Sequence, residues 1–144
     1  MTCPSLVFSF YDQVHTTGMD IKQVLNARAV CTLGKDMTFR DHAQGTFRMR
    51  GIGQGQTIVL CVTPEINELV LSEVALAGGE TKKGRAARLL GQKAHDHNLQ
   101  FLNDVCAWLI INSMKTERTQ FNLLCEQSSK NVLRKAARPT QTAS

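Results

Sequence analysis

Three short apolar runs punctuate the first half of the chain, and helix-spaced apolar positions fill the second. Leu6-Val7-Phe8-Ser9-Phe10-Tyr11 is β-prone, and Arg28 to Leu33, carrying Ala29, Val30 and Cys31, is a second run closed by Gly34. Gln56 to Thr63 holds Ile58-Val59-Leu60-Cys61-Val62, which is nearly continuous and therefore suits a strand covered on both faces, as in a parallel sheet sandwiched by helices. Thr38 to Arg50 has the content of a helix opened by a Thr cap, and Gly51-Ile52-Gly53-Gln54-Gly55 breaks it before the third strand. The expectation is three parallel strands within the first 63 residues, with Pro64 in the first turn of the next helix.

From Pro64 onward the pattern favours helix in Pro64 to Ala77, Arg85 to Asp96, Leu99 to Lys115 and Glu117 to Ala137. Breaks fall at Gly78-Gly79 and at Lys82-Lys83-Gly84, read as a flexible basic linker. Leu102, Val105, Cys106, Leu109 and Ile110 recur at three- and four-residue steps and predict one apolar helix face, with Trp108 in the core. Residues 138–144 are polar, carry Pro139, and have nothing to bury, so a disordered tail is expected.

Composition narrows the class without naming it. A chain of 144 residues fits one domain and is short for a complete nucleotide-driven enzyme. The formal charge of +5 suits a polyanion but does not require one. Five scattered cysteines, with no C-x-x-C pair, point to a reducing compartment, and no segment has signal-peptide or membrane-spanning character, so an intracellular protein of cytoplasm or nucleus is expected.

The informative constellation is Gly18-x-Asp20 in a loop, then Gln44-x-x-x-Arg48-x-Arg50 before the third strand. Residues four apart share a helical face, so Gln44 and Arg48 can enter one cleft, with Arg50 near the helix end. Arginine stays charged and offers a planar fork of donors to phosphate oxygens. Gly18 permits close backbone approach, and Asp20 can accept from a ribose or orient an arginine.

This order resembles motifs V and VI of the second RecA-like lobe of superfamily 2 helicases, and the spacing of Gln44, Arg48 and Arg50 is most similar to the Dicer and RIG-I-like branch. The run from Asp12-Gln13-Val14-His15-Thr16-Thr17-Gly18-Met19-Asp20 through Thr32-Leu33-Gly34-Lys35 to Phe47-Arg48-Met49-Arg50-Gly51 more narrowly resembles the C-terminal part of giant eukaryotic proteins with paired domains of unknown function, often labelled ubiquitinyl hydrolase-like. About the first 66 residues carry the specific likeness, and Leu99 to Gln127 a looser one. The resemblance implies a partial RecA-like parallel sheet (residues 1–66, the second lobe of a P-loop NTPase) followed by a helical extension (67–137) and the tail. It makes Arg48 and Arg50 catalytic contributors and Gly18, Asp20 and Gln44 nucleotide-binding residues. ATP and Mg²⁺ belong to a complete parent whose missing N-terminal RecA-like lobe is the partner, and nucleic acid or ubiquitin would be the parent's substrate. Two departures stand out: Asp12 lies where motif V usually has Thr, and Phe47 where motif VI more often has Gly. The chain has no G-x-x-x-x-G-K-[ST] phosphate loop, so alone it is expected to catalyse nothing and to need no cofactor.

Plainer readings stand beside these. Arg48 and Arg50 can form a solvated face or pair locally with Asp41. Gly51-x-Gly53-x-Gly55 precedes a strand, so it reads as a turn and not a dinucleotide loop. His95-Asp96-His97 places its histidines on different helix faces, so no metal is assigned. The alternative function is a non-catalytic segment of a deubiquitinase whose cysteine lies elsewhere; distant residues such as Cys31 and His42 could in principle be brought together as nucleophile and base, but no local deubiquitinase signature surrounds any cysteine.

Overall fold

A computed structural model describes residues 8–12, 20–91 and 94–136. The described chain is mixed α/β: strands β1 (Arg28–Thr32) and β2 (Thr57–Cys61) enclose helix α1 (Phe39–Thr46), and α2 (Pro64–Ala77), α3 (Lys82–Leu90) and α4 (Ala94–Ala136) follow. β1 and β2 pair in parallel, from Arg28 opposite Thr57 to Thr32 opposite Cys61, with α1 in the crossover that parallel pairing requires. No described helix is long and apolar enough to cross a membrane.

Local chemistry sets most boundaries. Thr38 caps α1 in a reciprocal box: its hydroxyl accepts from the Asp41 N–H, and the Asp41 carboxylate accepts from the Thr38 N–H at 2.9 Å. Thr63 caps α2, with Pro64 at its start. The region 82–84 is not a linker, because Thr81 accepts from the Gly84 N–H and turns Lys82-Lys83-Gly84 into the first turn of α3. The two helices expected beyond Leu99 are one, since nothing between Lys115 and Glu117 breaks the backbone ladder of α4.

The sheet is smaller than expected. Phe8–Tyr11 has no strand structure, and Phe8 and Phe10 are exposed; without a neighbouring ladder to satisfy its backbone, a β-prone run does not become a strand. Leu6, Val7 and the tail 138–144 lie outside the described residues. Among the described residues the sheet therefore has two strands.

One face of that sheet meets the helices. Leu33 joins Ile66, Val70 and Val74 of α2 and Val105, Trp108 and Leu109 of α4 in the core, with Leu60 and Val62 packed against it. The apolar face expected on α4 is thus correct at Val105 and Leu109, and Trp108 is core, but Leu102, Cys106 and Ile110 are exposed. The buried stripe runs instead through Asp104, Val105, Trp108 and Leu109.

Asp104 is 1% exposed and accepts from Arg85 Nε at 3.0 Å, from the other arm of the same guanidinium, and from Gln100 Nε2 at 2.8 Å. These bonds hold the Arg85 guanidinium more firmly protonated than usual. Arg85 also lies 3.6 Å from Glu80. Removing one partner of a buried pair strands the other charge. Asp104→Ala is therefore expected to destabilise the fold by about 3–5 kcal/mol, and Asp104→Asn by less because it keeps hydrogen-bonding capacity. Urea unfolding followed by the fluorescence of the chain's single tryptophan, Trp108, would measure both.

Candidate functional site

α1 ends at Thr46, earlier than the expected Arg50, because successive turns replace the helical ladder: the N–H groups of Arg48 and Met49 donate to Gly45 and Thr46 carbonyls. Thr46 also turns its hydroxyl back onto the His42 carbonyl at 2.9 Å. Gln44 therefore sits on α1, whereas Arg48 and Arg50 sit on the turn behind it. Met49 is buried between them and anchors the turn, leaving Arg48 half-buried and Arg50 exposed.

The turn leads into a tight loop held by Gln56, a buried side chain that accepts from the Gly51 N–H at 2.7 Å and donates to the Val24 carbonyl at 2.9 Å. Gly55 has φ +119°, and a Cβ there would lie 2.8 Å from the Leu25 carbonyl oxygen, so both conformation and space require glycine. The Gly51–Gly55 stretch is thus a turn before a strand, as expected. Gln56 joins the segment before β1 to the segment before β2, and nothing in its sequence context marks it for that role.

Gln44, Arg48 and Arg50 line one hollow with Ala43 and Phe47, of about 270 Å³ and open to solvent. On the other side of the same arginines a second hollow of about 270 Å³ is lined by Lys22, Gln23, Leu25, Gly51 and Gln56 among others. Asp20 accepts from Arg50 Nε at 3.3 Å, an exposed pair that orients the guanidinium more than it stabilises the fold. Asp41 is occupied in the α1 cap, so Arg50's partner is Asp20. Four of the five predicted site residues come together here; Gly18 lies outside the described residues.

Lys22, Arg48 and Arg50 make the second hollow basic, with no carboxylate in its lining. That chemistry suits an oxyanion. Each hollow is smaller than the usual ligand pocket of roughly 300–1,000 Å³ and is open on one side, so a nucleotide would be half enclosed at most. Both hollows flank the segments entering β1 and β2, at the strands' N-terminal ends. Open α/β sheets bind their own ligands beyond the carboxyl ends.

A second cluster faces the helices. Cys31 Sγ lies 3.7 Å from His42 Nδ1, with β1 supplying the thiol and α1 the imidazole. Desolvation raises the Cys31 thiol above its ordinary value and lowers His42 below its own. Both groups are thereby kept neutral near pH 7, whereas a cysteine nucleophile needs the thiolate and imidazolium forms. No group of three or more His, Cys, Asp or Glu side chains suited to a metal occurs among the described residues.

Comparison with models of known protein families, with curated proteins and with solved structures gave no match.

The thiol and imidazole predict a pH profile. Below about 6.5 the unfolded chain takes up a proton that half-buried His42 resists, so stability falls as pH drops through that value toward the lower folded one. Above about 9.0 the unfolded thiol ionises before Cys31 does, so stability falls as pH rises. In unfolding titrations His42→Gln should flatten the acid limb and Cys31→Ala the alkaline one. Alkylation followed by mass spectrometry should modify Cys31 more slowly than the exposed Cys61, Cys106 and Cys125.

Proposed function

We propose that the chain is part of the second lobe of a helicase-like ATPase, contributing Arg48 and Arg50 to a nucleotide cleft that a first lobe completes. The convergence of Gln44, Arg48 and Arg50 on one hollow, with Asp20 holding Arg50, carries this reading. In phosphoryl transfer an arginine presented across an interface stabilises charge on the transferring group, an effect on the order of 10³ to 10⁵ in rate. The half-open hollows suit such a role.

The sheet supports the same reading. β1 and β2 expose Val30 and Val59 on one face, 71% and 43% accessible, and both strands are edges among the described residues. Parallel sheets are ordinarily covered on both faces, so this pair is suited to joining further strands and helices of a RecA-like lobe. ATP and Mg²⁺ would be bound by the first lobe, with Gln44 and Asp20 on the nucleotide side of this one. The second reading, a non-catalytic segment of a ubiquitin-processing protein, is favoured by one observation: burial keeps the Cys31 thiol neutral beside His42, which fits a nucleophile located elsewhere.

In a full-length, two-lobed protein containing this chain, Arg50→Ala should lower ATP turnover at least about tenfold with unchanged folding, and Arg50→Lys should rescue it poorly. Unimpaired turnover after replacement of both arginines by alanine would refute the assignment. The 144-residue chain itself should show no ATP hydrolysis above background; turnover by the isolated chain would refute the half-site reading.

A further inference from the structure

α4 has two apolar faces. One, containing Val105, Trp108 and Leu109, is buried in the core. On the opposite side Cys106, Ile110, Met114, Phe121, Leu124 and Val132 follow one another at steps of three, four, seven or eight residues, all of which return to one helical face. All six are exposed, with Met114, Phe121, Leu124 and Val132 each more than 60% accessible.

The helix also outruns the body it packs on. Among the described residues Lys115, which pairs with Glu73 of α2, is its last residue tied to the rest of the chain by an ion pair, and every residue from Thr116 to Ala136 is exposed. That bare stretch is about 31 Å long at 1.5 Å per residue. A solitary helix of this length is marginal in water, so a packing partner would stabilise it substantially.

Two charges interrupt the apolar seam, and they have opposite sign. Glu117 and Lys135 lie eighteen residues apart, about five turns at 3.6 residues per turn, and so share one angular position. Among the described residues neither has an ion-pair partner, whereas Lys115, Glu126 and Lys130 do. The midpoint between Glu117 and Lys135 is Glu126. The midpoint of the bare stretch from Thr116 to Ala136 is also Glu126.

We propose that the bare half of α4 pairs antiparallel with the same segment of a second copy of this chain, about a two-fold axis near Glu126. In that register Glu117 of each copy meets Lys135 of the other, and Leu124 of each lies over Ser128 of the other. The overlap uses the bare stretch and stops where the other copy's globular part begins. Parallel pairing would instead stack Glu117 on Glu117 and Lys135 on Lys135. The seam is narrow and partly polar, at the low end of specific interfaces, so association depends on concentration.

Analytical ultracentrifugation of the full chain over a concentration series tests this. A monomer–dimer equilibrium is expected. Glu117→Lys or Lys135→Glu should each weaken it about tenfold, because both symmetry-related pairs turn from attraction to repulsion. The double reversal, Glu117→Lys with Lys135→Glu, should restore it, which parallel pairing would not produce. Circular dichroism at low concentration checks that these exposed changes leave the fold intact. A chain that stays monomeric to submillimolar concentration, or a dimer indifferent to both single reversals, would overturn the proposal.

Discussion

Trp108 and Leu109 close the core from the outside. They sit on adjacent positions of α4 and fill the space between Leu33, just past β1, and Val70 and Val74 on α2. Among the described residues the sheet is only two strands wide, so it cannot bury enough surface by itself; it persists because the core formed by α2 and α4 covers Leu33 and packs against Leu60 and Val62. Polar bonds reinforce the same seam: Asn112 Nδ2 donates to the Met37 carbonyl at 3.1 Å, and the Phe39 N–H donates to Ser113 Oγ at 3.1 Å. The position of α1, and with it that of Gln44 and the arginine-bearing turn, depends on this docking.

Apolar packing does not by itself choose how α3 meets α4. The Arg85–Asp104 pair does, because a bidentate contact has one good geometry whereas greasy surfaces have many. Glu80 and Arg88 extend it to the surface, with Arg88 donating to Glu80 at 3.1 Å. A buried ion pair of this kind contributes less net stability than its Coulomb attraction suggests, since both ions lose water. Its contribution here is register: it fixes which turn of α3 lies beside Gln100 and Asp104.

Much of this was legible in the sequence, and the misses have physical causes. The α2 boundaries follow from Thr63-Pro64 and Gly78, and β1 and β2 from their apolar runs, because caps and short apolar strands are written in local residue types. The shared neighbourhood of Gln44 and Arg48 was expected from their spacing. The placement of Arg48 and Arg50 on a turn was not, because Gly45 and Thr46 end α1 through bonds that periodicity does not express. Asp104 was hidden for another reason: a carboxylate inside an apolar stretch reads as a surface residue until its arginine, nineteen positions earlier, is placed beside it. Gln56 and the Cys31–His42 contact likewise depend on which segments the parallel crossover brings together. Phe8 to Tyr11 shows the converse, β propensity without a ladder to join.

The separation in sequence between the sheet and its cover bears on the order of events during synthesis. The bonds from Asn112 and Ser113 to residues 35–39 span more than seventy positions. Contacts of that range form only after a large loss of chain freedom and cannot be made while the distal segment is still untranslated. A nascent chain that has emerged through β2 and α2 therefore presents Leu33, Val70 and Val74 without Trp108 to cover them. Until α4 leaves the ribosome, the apolar floor of the protein is available to chaperones or to neighbouring nascent chains.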